Sequence, residues 1–153
     1  MFRTPLAAFR SLAIAEAFSW TLLILGLTLR SAFDLPIAVT IGGGIHGFVF
    51  LCYGATAVLV AWNNRWSLVP TICAVAAAVV PYATVPTEIV LRRRGLLEGE
   101  WRTEATDDPR DQRAVDRFLR WFVRRPAVLA VILAVGIIAA YVVLLVIGPP
   151  GRA

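Results

Sequence analysis

Lysine is absent from this chain of 153 residues, histidine and methionine occur once each, and cysteine occurs twice. One histidine and two cysteines cannot build a closed zinc site, a disulfide framework or a pair of histidine ligands. Charge is scarce as well: charged residues make up 16% of the sequence against 59% hydrophobic, too little polar surface to dissolve a globule. That excludes an ordinary soluble domain and indicates an integral membrane protein. Catalytic signatures are also missing. The sequence has no HExxH, no CxxC, no nucleophile elbow and no Walker motif, and nowhere sets a nucleophile beside a base. The run Gly42-Gly43-Gly44 lacks the strand, turn and lysine of a phosphate loop. The reading is of a protein that is not an enzyme, with no cofactor, no metal and no catalytic residue.

What the chain does have is long stretches without charge. None occurs from Leu35 to Asn64, from Trp66 to Thr87 or from Pro126 to Gly151, and Ser11 to Leu29 is interrupted only by Glu16. Each stretch supplies the roughly 20 apolar residues a helix needs to cross the hydrocarbon. The prediction is an all-α polytopic membrane protein, a bundle of four transmembrane helices at about residues 9–29, 37–61, 68–91 and 127–147. Pro36, Asn63 with Asn64, and Gly148-Pro149-Pro150 punctuate them. Trp62 and Trp66 flank the second turn, where indoles favour the headgroup level. Arg10 and Glu16 interrupt any signal-peptide core, so the first helix reads as an uncleaved anchor.

Residues 92–125 hold ten of the fifteen arginines, and net charge is +5. Three segments follow: a membrane core over 1–94, a charged loop over 95–125, and a fourth helix with a short tail over 126–153. The arginines near membrane ends place that loop in the cytoplasm, and four crossings then put both termini outside, in a multi-pass protein of the cell membrane. Asp108, Pro109 and Asp111 read as the start of a helix. Beyond them Val115, Phe118, Leu119 and Phe122 share one face, with arginines opposite. This predicts an amphipathic helix before the last span. Either Arg117, Arg120, Arg124 and Arg125 meet anionic headgroups of membrane lipids, or the apolar face packs on the bundle. The acidic middle of the loop argues against nucleic acid as a partner.

Ionisable residues at membrane depth are costly and therefore candidate functional groups. Glu88 is neutralised by Arg92 one turn on. The remaining candidates are Glu16 and His46. At about 1.5 Å rise per residue, Tyr53 comes level with Glu16, and Tyr82 and Thr84 level with His46. The expected polar site is a column: Arg10 with Glu16 outermost, Tyr53 beside Glu16, and His46 with Tyr82 or Thr84. His46 either stabilises helix packing or handles a proton or ligand. Gly43 and Gly47 form a small-xxx-small pair that lets helices approach. Other membrane proteins or a second copy of the chain are the expected protein partners.

Phe9-Arg10-Ser11, Ala13, Glu16, Ser19, then His46-Gly47, Phe50, Tyr53, Trp66-Ser67, Pro81 and Thr84 resemble, in order and type, the YdzA-like family of small bacterial integral membrane proteins. The resemblance covers about residues 9–94. It implies a three-helix core module with Arg10, Glu16, His46, Gly47 and Tyr53 as its characteristic positions, and it brings no known activity. Ala17, Ala83 and Glu88 stand where that family more often has Gly, Gly and Asp. Function on this reading is that of a non-enzymatic accessory, assembly or scaffold module. The alternative is a small oligomeric proton-linked transporter with a Glu/His/Tyr relay.

Overall fold

A computed structural model describes residues 3–147, and among these it is all-helical. The Gly148-Pro149-Pro150 stop and Arg152 lie outside the described residues. The chain divides after Gly99 into two units.

The first unit is built on two long antiparallel helices, α1 (Pro5–Phe33) and α2 (Pro36–Asn63). Helix α1 starts four residues before the predicted span. Thr4 caps it by accepting the Ala7 N–H at 3.1 Å, and Pro5 takes the first turn, where no N–H is needed. Asp34 ends it in the left-handed conformation, and Pro36 opens α2. Helix α2 closes at Asn64 with Arg65 left-handed, the Trp66 N–H bonding to the Ala61 carbonyl and Arg65 to Trp62. This is the doubly bonded C-terminal turn that satisfies the last carbonyls.

The two helices meet along small residues. A methyl group at Gly42 would lie 2.5 Å from the Leu22 carbonyl oxygen, and one at Gly26 2.6 Å from that of Ala38. At Gly43, one of the two glycines expected at the contact, the nearest atom would be a Leu23 methyl at an ordinary 3.7 Å. The close approach is therefore at Gly26 and Gly42 and not at Gly43, with Gly42 one turn from His46. Three successive glycines allow several small-xxx-small registers, and spacing alone does not choose between them.

The third predicted span is not one continuous helix. Helix α3 (Leu68–Ala76) tightens into a 3₁₀ turn at Ala77–Val79, the backbone breaks, and α4 (Thr84–Arg93) begins. Pro81 has no N–H to continue the ladder and pushes Val80 into an extended conformation (φ −105°, ψ 123°). The two pieces run in opposite directions. Trp66 contacts Phe9 near the start of α1, and Ala78 and Tyr82 lie higher, against Trp20 and Thr21. Thr84 then meets Ala13 and Glu16, and the chain after α4 returns to the starting level. There the Asn64 side-chain amide donates to the carbonyls of Leu96 (2.8 Å) and Glu98 (3.0 Å), and Trp66 Nε1 donates to Leu96 (2.7 Å). A helix of about 12 residues is only ~18 Å long, well short of the ~30 Å hydrocarbon. The region is a re-entrant helical hairpin, and its two ends share one side. Three helices, α1, α2 and α6 (Pro126–Ile147), are long and apolar enough to cross a membrane. Three such helices, where four were predicted, have the length to cross, so the count no longer puts both termini outside.

In the second unit the Asp108-Pro109 signal produces a 3₁₀ turn (Pro109–Gln112), and helix α5 (Ala114–Val123) starts only afterwards. Asp111, read as a first-turn charge, is fully buried. Its carboxylate accepts from Arg102 and Arg120 at 3.1 Å each and from the Thr106 main chain (2.7 Å) and hydroxyl (2.6 Å). Arg102 also pairs with Asp116 at 2.8 Å. Helix α6 (Pro126–Ile147) buries no residue.

Candidate functional site

The candidate site is the polar seam where α1, α2 and the re-entrant hairpin meet. Helix α1 presents Glu16 and Ser19 inward, one turn apart, on the same face as Phe9 and Ala13. Helix α2 presents His46 and Tyr53. The break in the hairpin leaves helical carbonyls without intrahelical partners, and side chains of the other helices supply them. Tyr53 donates its hydroxyl to Ala74 O at 2.9 Å, and Trp20 its indole N–H to Ala78 O at 3.3 Å. Irregular backbone at membrane depth is tolerated only where it is satisfied in this way. Tyr53 is fully buried, edge-on to Phe9 with ring centroids 5.5 Å apart.

Glu16 is 0% exposed. Its Oε2 lies 2.8 Å from the Thr84 hydroxyl at the first residue of α4, and Thr84 Oγ1 is also 3.0 Å from the Ala13 carbonyl. Glu16 Oε1 makes no hydrogen bond. His46 Nδ1 lies 2.9 Å from Ser19 Oγ, which is also 2.7 Å from the Glu16 main-chain carbonyl, and Trp20 packs on the imidazole at 4.3 Å. Thr21 and Tyr82 hydroxyls meet at 3.3 Å near the hairpin tip.

The structure therefore groups the predicted residues differently from the predicted column. Glu16 and Thr84 come together, and His46 pairs with neither Thr84 nor Tyr82 but with Ser19. Tyr53 bonds the hairpin backbone. Arg10 is exposed, and no ion pair joins it to Glu16 among the described residues. Glu88 does pair with Arg92, at 3.7 Å. Ser19 and Trp20 were missed: a serine or tryptophan in a membrane helix carries no charge to mark it. The available signal was positional, since Ser19 follows Glu16 by one turn and so falls on the same face.

Of the arginines assigned to lipid, Arg117, Arg124 and Arg125 are exposed, and Arg125 stacks over Trp121 at 4.5 Å. Arg120 points inward to Asp111, donating from Nη2 to its main-chain oxygen at 2.6 Å. The four arginines and Trp121 line a hollow of about 310 Å³. Among the described residues no cluster of three or more metal-binding side chains occurs.

Residues 6–93, the stretch that forms the seam, match the family model described as a domain of unknown function, DUF3817. A membrane protein of Streptomyces coelicolor is 40% identical over 94 residues, which are 60% of this chain and 11% of that protein. The uncharacterized membrane protein YdzA of Bacillus subtilis is 30% identical over 83 residues, 54% of this chain and 86% of that protein. The chain thus spans about a tenth of one relative and most of the other. No solved structure matches it.

Proposed function

The chain belongs to the YdzA-like membrane family, DUF3817, and we propose that it is a non-enzymatic accessory, assembly or scaffold module of the cell membrane. The observation that carries this reading is how the buried polar side chains are used. Tyr53, Trp20 and Thr84 bond main-chain carbonyls of neighbouring elements, and Ser19 and His46 bond each other across α1 and α2. These contacts tie three elements into one register. Interhelical hydrogen bonds of this kind contribute about 0.6–2 kcal/mol each in a membrane. The matched stretch makes up 86% of one relative and 11% of another, which fits a unit used both nearly alone and within a larger protein. Helix α6 presents only unburied side chains, available to lipid or to another helix. The exposed Arg117, Arg124 and Arg125 suit anionic headgroups, at about 1 kcal/mol per arginine near the surface.

Reconstitution tests the reading. Vesicles containing the protein should hold an imposed pH gradient as long as empty vesicles, while Tyr53→Phe lowers detergent stability by about 1 kcal/mol. Anionic vesicles, but not zwitterionic ones, should protect the Arg117–Arg125 segment from trypsin. A proton leak abolished by Glu16→Gln would instead favour the proton-linked transporter, for which the unbonded Glu16 Oε1 speaks.

The hairpin supports a revised orientation. Arg3, Arg10, Arg65, Arg92, Arg93 and Arg94 lie toward one side of the first unit, with Arg30 alone near the opposite α1–α2 turn. By the excess of arginine, the N-terminus and the 92–125 stretch face the cytoplasm and the α1–α2 turn faces outward. In intact cells an impermeant thiol reagent should label a cysteine placed at Asp34 and not one at Arg65 or Gly99. Labelling at Arg65 and not at Gly99 would restore a crossing third helix.

A further inference from the structure

Hydroxyl groups carry one hydrogen, and in this seam each of two hydroxyls stands between two oxygen or nitrogen atoms. Thr84 Oγ1 is 3.0 Å from the Ala13 carbonyl, which can only accept, and 2.8 Å from Glu16 Oε2. If Glu16 were a carboxylate it too could only accept, and one of the two contacts would have no hydrogen. Ser19 Oγ is 2.7 Å from the Glu16 main-chain carbonyl and 2.9 Å from His46 Nδ1. There the second contact has a hydrogen only if Nδ1 carries it.

We infer that Glu16 is a proton-binding site within the membrane core, held as the neutral acid with Oε2–H donated to Thr84, and that His46 carries hydrogen on Nδ1. Two ordered chains result. Glu16 Oε2–H donates to Thr84 Oγ1, whose hydrogen goes to Ala13 O; His46 Nδ1–H donates to Ser19 Oγ, whose hydrogen goes to Glu16 O. Both end on carbonyls of α1.

The surroundings agree with the count. Glu16 is fully buried, its Oε1 makes no hydrogen bond, and no cation or main-chain N–H reaches the carboxyl among the described residues; besides Thr84 its polar neighbour is the uncharged indole N–H of Trp20, which is donated to Ala78 O. The ionisable groups on the packed elements are His46, Cys52 and Tyr53 on α2, Cys73 on α3, and Glu88 with Arg92 and Arg93 on α4, and none bonds it. A buried, unpaired carboxylate is among the most costly groups a membrane protein can hold. The N-terminal end of α4 favours negative charge, but by far less than that cost. The inference is independent of the scaffold reading, because a structural proton and a transported one occupy the same atom.

Infrared spectra of the protein in lipid vesicles at neutral pH test it. We expect a carboxylic-acid carbonyl band, sensitive to deuterium exchange, that is lost in Glu16→Gln, kept in Glu88→Gln, and shifted in Thr84→Val as its acceptor disappears. Should Glu16→Gln fail to fold, the shift in Thr84→Val identifies the band. Absence of any such band in the wild-type protein overturns the inference. The single histidine makes nitrogen-15 labelling unambiguous. A resonance from protonated Nδ1 supports the ordering, and hydrogen on Nε2 alone overturns it.

Discussion

Replacing Gly42 by alanine should destabilise the α1–α2 pair by about 1–3 kcal/mol, the range for forcing extra volume into a packed core. Gly42→Val should prevent the pair from closing. The new methyl would lie 2.5 Å from the Leu22 carbonyl oxygen, 3.0 Å from its carbon and 3.3 Å from Leu23 Cα. These are main-chain atoms of a helix, which cannot rotate away as a side chain can, so relief requires the helices to separate. Separation is transmitted along the seam, because His46 sits one turn beyond Gly42 and its 2.9 Å bond to Ser19 spans the same interface. Gly26→Ala meets Ala38 O at 2.6 Å and should act similarly, and the double variant should cost less than the sum, since one displacement relieves both contacts. Gly54 is the control: a methyl there has nothing within 4 Å, and alanine favours a helix over glycine by up to about 1 kcal/mol. Thermal unfolding in detergent should rank Gly54→Ala at or above wild type and both other alanine variants below. Equal effects at Gly42 and Gly54 would refute the close approach.

The second large effect belongs to Asp111. Its side chain is 1% exposed and its Oδ1 joins Arg102 and Arg120, whose side chains are 17% and 10% exposed. Removing one partner of a buried ionic cluster leaves the others uncompensated, at about 3–5 kcal/mol. Arg102 keeps Asp116 at 2.8 Å, so the greater loss falls on Arg120. Asp111→Ala should therefore release the segment from Arg102 to Arg120, read as trypsin cleavage at those two residues that the wild-type protein resists. Asp108→Ala removes an exposed pair with Arg110 and the cap in which its carboxylate accepts the Arg110 main-chain N–H at 2.9 Å, and should cost about 1 kcal/mol, well below Asp111→Ala. Matching cleavage patterns for the two variants would remove Asp111 from the centre of the cluster.

The features that were legible in the sequence are those that composition encodes directly. Charge-free length located α1, α2 and α6, the rarity of ionisable groups in apolar helices singled out Glu16 and His46, and estimated depth added Tyr53. Length does not report continuity, however. The run from Trp66 to Thr87 is long enough to cross, yet Pro81 divides it into two short helices whose carbonyls are completed by residues far away in sequence. Partners were harder to read than members, because depth estimated from a straight third helix placed Thr84 level with His46. Once the chain folds back, Thr84 descends to Glu16. Asp111 and Arg120 escaped for the opposite reason: in a stretch dense with both signs of charge, nothing local marks the pair that becomes buried.

The re-entrant hairpin also depends on the two helices before it. Helices α1 and α2 close their own backbone ladders and can enter the bilayer as a pair. The segment from Leu68 to Arg93 is broken between its two helices, and its carbonyls at Ala74 and Ala78 are met by Tyr53 and Trp20 of that pair. Docked against the formed α1–α2 pair, it has both carbonyls bonded. Its place in the fold is therefore set by side chains of the first two helices, and mutations that separate that pair should also free the hairpin.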